Sequence, residues 1–107
     1  MNIGMLFKKI YAKIILFFAG YLLGEMMQIH TRFRGELAAT IGKHRFTLNL
    51  PQSATVGDLL DLLCQEYPDS TAKLRATVQI ITGRHVTLSE SLTDGQEVAF
   101  LLPMAGG

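Results

Sequence analysis

The sequence predicts an α+β fold in which one main helix lies across a mixed β-sheet. Residues 44–50 alternate polar and apolar side chains strictly, as a strand with one buried face requires. Residues 56–67 place apolar side chains along one stripe at helical spacing. Near the C-terminal end, an Asp-Gly turn signal precedes the apolar strand 97–102. One such domain accounts for residues 27–107.

Local signals mark where the elements begin and end. Gly42 suits the left-handed residue after a helix, and Pro51 ends a strand because it cannot donate to the ladder. Thr55 and Asp58 form a variant capping box at the start of the main helix. The predicted elements, in order, are strand 28–34, helix 36–41, strand 44–50, helix 56–67, a short helix 72–76, and strands 77–82, 85–88 and 97–102. This order is that of the ubiquitin-like β-grasp.

Residues 1–26 differ from the rest of the chain and are predicted to be an apolar, helical N-terminal extension. They hold three lysines, and their uncharged stretch 14–24 is shorter than the roughly 20 residues that span a bilayer. The favoured interpretation is a misassigned start, with translation beginning at Met26 or Met27. A membrane-associating helix and a signal peptide are the alternatives, the latter without an evident cleavage site.

Composition excludes several classes of function. Ten basic against nine acidic residues give no basic field for nucleic acid. One cysteine, Cys64, excludes a disulfide framework within the chain, and its place on the helical stripe predicts core packing. The three histidines lack ligand spacing, so no metal site is predicted. No nucleophile-base pair or phosphate loop occurs, and we expect no catalysis by the chain alone.

The chain closes on a tail, Pro103-Met104-Ala105-Gly106-Gly107. Proline ends the strand, and the two glycines are the least bulky and most permissive residues for threading through a narrow channel. The ionised terminal carboxylate can attack the α-phosphate of ATP and form an acyl-adenylate. The alternative from the glycines alone is a floppy end.

The tail and the strand before it carry a family resemblance. Residues 92–107 read LTDGQEVAFLLPMAGG, which resembles the end of the molybdopterin synthase small subunit, and residues 27–107 match that family in length and pattern. Three positions depart from the family pattern: Leu102 replaces a first proline, Gln96 replaces an acid, and Thr82 replaces an asparagine.

The resemblance implies a cytoplasmic sulfur carrier without a bound cofactor. An E1-like adenylyltransferase would use ATP to adenylate Gly107, and a sulfur donor enzyme would convert it to a thiocarboxylate, with Gly106 allowing passage of the tail. The tail would then enter the large catalytic subunit, in a heterotetramer, and give sulfur to cyclic pyranopterin monophosphate. The chain would be its non-catalytic subunit.

The resemblance also implies an apolar docking patch beside the tail. Phe33 and Leu101 are the candidates on the sheet, and Pro103, Met104 and Ala105 are the candidates in the tail. His85 falls where an apolar residue is more typical. No contact with nucleic acid is expected, and membrane contact by residues 1–26 is the minor alternative.

Three other functions remain open. A thiamine-type sulfur carrier shares the fold and the tail but usually lacks the helical insertion that residues 36–41 supply here. A ubiquitin-like protein modifier would join the same tail to lysines. The third is a β-grasp interaction module with an inert tail.

Overall fold

The computed structural model describes residues 26–103, which form a five-stranded sheet with helices on one face. The strands run in the order β2-β1-β5-β3-β4, so β5 is central. It pairs in parallel with β1, and all other neighbours are antiparallel. The elements are β1 Met26–Phe33, α1 Gly35–Ile41, β2 Arg45–Pro51, α2 Val56–Glu66, a 3-10 turn Pro68–Ser70, α3 Thr71–Arg75, β3 Val78–Ile81, β4 Arg84–Val86 and β5 Glu97–Leu101. The β-grasp predicted from the sequence is confirmed.

The main helix α2 begins as its sequence predicts. The Thr55 hydroxyl accepts a hydrogen bond from the Asp58 backbone N–H at 3.3 Å, and the Asp58 carboxylate accepts one from the Thr55 N–H at 2.9 Å. The next two N–H groups, of Val56 and Gly57, donate to carbonyls of the loop before β5. The helix start is thus tied to that loop, which leaves few of its N–H groups without a partner.

One apolar core lies between α2 and the sheet. The helix buries five residues, which are Val56, Leu59, Leu60, Leu63 and Cys64. They pack with alternate residues of the strands, among them Ile29, Val98 and Phe100. Within residues 26–103 no helix lies on the other face of the sheet, so the strands have one side toward the helices and one side without such a cover.

Most element boundaries agree with the sequence prediction to within two residues. β1 begins at Met26 rather than Gln28 and ends at Phe33, because Arg34 is the extended residue before α1. Gly42 takes the left-handed conformation predicted for it, with φ of 85°. The β3–β4 turn lies at Thr82 and Gly83, one residue earlier than predicted, and both have positive φ. The predicted division between residues 1–26 and 27–107 stays a prediction, since residues 1–25 lie outside the described part.

Candidate docking face and tail root

The C-terminal tail follows directly after the central strand in the chain. β5 ends at Leu101, Leu102 packs partly against the core, and Pro103 is exposed. The turn before β5 is held firmly: the Asp94 carboxylate accepts from the Gln28 N–H, and the Gly95 N–H donates to the Gln28 carbonyl. A strand fixed at its start and paired on both sides positions its end rigidly.

The tail itself carries predictions that stay untested. Met104, Ala105, Gly106 and Gly107 lie outside the described residues. Pro103 is described and exposed, and its predicted contact with a partner stays a prediction.

The prediction that Phe33 belongs to the apolar docking patch is wrong. Its side chain is 1% exposed and lies in the core, with its ring 6.1 Å from Phe100 and 6.3 Å from Tyr67. Phe33 pairs with Phe100 across β1 and β5, so both point to the helix-covered face. Leu101, the next residue along β5, points to the other face because successive strand residues alternate. Phe33 and Leu101 therefore cannot form one patch.

We define the open face as the strand residues that point away from the helices. Its apolar half consists of four half-buried side chains on β3 and β5, which are Val78, Ile80, Ala99 and Leu101. Val78 pairs with Leu101, and Ile80 with Ala99, so the four form a continuous group. His85 is exposed and stands opposite Ile80, at the edge of this half.

The other half of the open face is polar and basic. β1 and β2 contribute His30, Arg32, Arg45 and Thr47. The His30 ring nitrogen Nδ1 lies 3.0 Å from the Thr47 hydroxyl, and Arg32 contacts Glu97 of β5 at 3.7 Å. The sequence did not predict a role for these four residues, which strand parity and the register between β1 and β2 place on one face.

Two shallow depressions flank the tail root, each of about 510 Å³. The first runs along the open face between Arg32, Ile80 and Leu101. The second lies at the end of the sheet, between Arg34, Lys73 and Pro103. Leu101 borders both, so it is the apolar residue best placed to contact a partner that receives the tail.

One wall of the second depression carries an ion pair. The Lys73 ammonium group of α3 donates to the Glu36 carboxylate and to the Thr40 hydroxyl of α1, both at 3.0 Å. These exposed contacts contribute modestly to stability. They connect α1, the helix inserted between β1 and β2, to α3.

Cys64 has the surroundings of a structural thiol. It is buried in α2, and this burial raises the pKa of its thiol, with Asp61 adding to the effect and Arg75 and Thr71 opposing it. A thiol with a raised pKa is a poor nucleophile at neutral pH. Cys64 also packs in the core cluster, as the sequence analysis expected.

Residues 26–103 contain no group of three or more side chains arranged to hold a metal ion. Within the same part of the chain, no helix is long and apolar enough to cross a membrane.

Fold and tail root together define a class: a small ubiquitin-like β-grasp protein whose C-terminal residues follow the central strand of the sheet. Within that class, the chain belongs to the ThiS family, whose model matches residues 32–107. The family-level resemblance stated from the tail motif is confirmed, and the chain is a ubiquitin-like carrier or modifier of this family. No curated protein matches the chain.

Solved structures agree with this fold. SAMP1 from Haloferax volcanii aligns with a TM-score of 0.67 at 24% identity, over 75% of this chain and 99% of its own. The HVO 2177 protein of the same organism aligns with a TM-score of 0.69 at 26% identity, over 78% and 89%. The complex of subunits 1 and 2 of molybdopterin-converting factor from Helicobacter pylori contains a chain with a TM-score of 0.56 at 22% identity, over 76% and 100%.

Proposed function

We propose that this chain is the sulfur-carrier subunit of molybdopterin synthase. The observation that supports this most is the geometry of the tail root: a rigid central strand runs into Pro103, beside an open face and ahead of a Gly-Gly end. A rigid root holds the start of the tail at a fixed distance from a docked partner, which lowers the entropy lost on insertion.

The chemistry takes place on the terminal carboxylate of Gly107. Its oxygen attacks the α-phosphorus of ATP in an adenylating enzyme, and pyrophosphate leaves. Hydrosulfide supplied by the donor then attacks the acyl carbon, the acyl–phosphate C–O bond breaks, and AMP leaves with its electron pair. The resulting thiocarboxylate would carry sulfur into the large catalytic subunit, and this chain would contribute no catalytic side chain.

The helical insertion supports the molybdopterin branch over the thiamine branch. α1 forms at Gly35–Ile41, where thiamine-type carriers usually have none, and Lys73 anchors it to α3. The H. pylori neighbour is described as a complex of two subunits of molybdopterin-converting factor. By analogy, the open face and tail root would dock a large subunit here.

Protein modification is the second candidate. SAMP1 of H. volcanii is an archaeal neighbour, and a second solved structure bears the name small archaeal modifier protein 1. A modifier and a carrier share the adenylation step and differ in the nucleophile that displaces AMP, which is a lysine amine rather than sulfur.

Intact-mass spectrometry separates these functions. The full chain is incubated with the adenylating enzyme of its own organism, ATP and a sulfur donor. We expect the mass increase that replacement of one oxygen by sulfur produces. A control chain with one alanine added after Gly107 should show no change, because its Gly107 carboxylate is no longer free. Adducts on lysines of other proteins, with no thiocarboxylate, would instead identify a modifier.

A second step identifies the branch. The thiocarboxylated chain is mixed with the large subunit and cyclic pyranopterin monophosphate, and molybdopterin is measured. Formation of molybdopterin supports the proposal. Thiocarboxylate without molybdopterin, together with transfer of sulfur into a thiazole, would contradict it in favour of the thiamine-type carrier.

A further inference from the structure

Two arginines stand directly opposite each other on the open face. Arg32 of β1 pairs with Arg45 of the antiparallel neighbour β2. Directly opposed side chains in such a pair lie about 5 Å apart at Cβ, and like charges there are destabilising. The isolated fold therefore gains nothing from this pairing.

The described open face holds one acid against this pair, which leaves one of the two arginines without a counter-charge. Glu97 is the one acidic residue among the described open-face positions, and it contacts Arg32 at 3.7 Å. Arg45 is exposed and has no ion pair within residues 26–103. Arg34 adds a further exposed cation where the two depressions meet.

These charges border the apolar half of the face. Ala99 is the neighbour of Arg32 on β5, and Ile80 follows on β3. A surface with an apolar centre and a charged rim is the usual anatomy of a protein interface.

We propose that Arg32 and Arg45 bind carboxylates of an acidic docking segment on the protein that receives the tail. This inference rests on the proposed function for the identity of that protein, and it adds the chemistry of its contact surface. Guanidinium groups bind carboxylates through two parallel hydrogen bonds, so a partner carboxylate between the two arginines would turn a repulsive pair into a shared site.

A protein carboxylate fits this face better than a nucleic-acid phosphate does. Residues 27–107 hold seven basic and eight acidic residues, so the domain offers no extended positive field. The positive charge is confined to one half of one face, with Glu97 beside it. A small group of cations next to an apolar group favours a short acidic segment with apolar neighbours.

The direct test uses a fluorescein-labelled hexaglutamate peptide and fluorescence anisotropy with the full chain. We expect salt-sensitive binding that Arg32→Gln and Arg45→Gln each weaken about fivefold, since each removes one exposed charge contact. Arg75→Gln is the matched control, because Arg75 pairs with Asp61 in the helical layer and its loss changes net charge equally. Its binding should match that of the unmodified chain.

Several outcomes would overturn the inference. These are absent peptide binding, equal weakening by Arg75→Gln, and tighter binding of a labelled oligothymidylate than of the peptide at the same salt. The last result would assign the face to nucleic acid.

Arg45→Glu separates a binding role from a structural one. It places opposite charges across β1 and β2, so we expect an unchanged or higher Tm together with lost peptide binding. A lower Tm that accounts for the lost binding would contradict the inference.

The same variants keep the two proposals apart. If the unmodified chain forms no thiocarboxylate while the peptide pattern holds, the proposed function fails and the acidic-partner surface stands. If both thiocarboxylated chains, the unmodified one and Arg45→Glu, support molybdopterin formation by the large subunit with the same KM, the proposed function stands and the inference fails.

Discussion

The two faces of the sheet use neighbouring residues of the same strands for different purposes. On β1, Phe33 is buried against Phe100, whereas the preceding Arg32 lies on the open face. On β5, Phe100 is fully buried and Leu101 is half-exposed. The covered face holds the fold together, and the open face leaves apolar and basic groups accessible. An apolar residue in a strand therefore indicates a role only after its face is known.

The largest expected effect comes from truncating the covered face. Phe33→Ala should lower the free energy of unfolding by about 3–5 kcal/mol, because it removes a buried ring and leaves a cavity. Chemical denaturation checks this value. Leu101→Ala, on the open face, is the control and should cost less than about 1 kcal/mol. Equal losses of unfolding free energy in the two variants would contradict the proposed difference between the two faces.

Charge on the open face should affect docking and spare folding. Leu101→Glu should weaken binding to the large subunit by about 2 kcal/mol or more, since an apolar contact is lost and a charge is buried in its place. Calorimetry on the folded variant measures this loss, and thermal unfolding provides the control. Unchanged affinity would show that the docking surface does not include Leu101.

Removing one buried hydroxyl from the covered face should raise the stability of the protein. The Thr31 hydroxyl is buried, and it has no hydrogen-bond partner among the described residues. Thr31→Val should stabilise the protein by about 1 kcal/mol, because the shape is kept and an unsatisfied group is removed. Thr47→Val on the open face should change stability by less than about 0.5 kcal/mol. Denaturant midpoints of both variants, compared with that of the parent chain, measure these changes. A destabilised Thr31→Val would indicate an unrecognised hydrogen-bond partner for the Thr31 hydroxyl.

The smallest effect concerns the turn between β3 and β4. Thr82 has a φ of 52°, which is strained for a β-branched residue, and Gly83 follows with a φ of 73°. Thr82→Asn should stabilise the protein by about 0.5–1 kcal/mol, since Asn-Gly suits two positive φ angles. Thr93→Asn serves as the control, because Thr93 lies outside the left-handed region. A Tm for Thr82→Asn at or below that of the parent chain would refute this explanation.

The sequence predicted most of the fold because its signals there are local. The Thr55–Asp58 capping box, the alternation in β2 and the helical stripe of α2 each specify structure within a few residues. The assignment of Phe33 failed because it depends on a nonlocal fact, the register between β1 and β5. Phe33 and the buried Ile29 are four positions apart on β1 and therefore share a face. This shared parity was the one sequence signal for placing Phe33 in the core.

The basic half of the site was missed for a related reason. Arg32 and Arg45 are 13 positions apart in the chain, and only the pairing of β1 with β2 brings them opposite each other. β5 is apolar at four of its five positions, so its sequence alone does not indicate which residues face the helices.

Deletion of Gly107 tests the central claim most directly, which is that the tail carries sulfur and the sheet only positions it. The full chain and the deletion variant are compared by thermal unfolding and by intact-mass spectrometry after incubation with the adenylating enzyme, ATP and a sulfur donor. The account predicts the same Tm for both and a thiocarboxylate on the full chain alone. Normal thiocarboxylate formation by the deletion variant would contradict it.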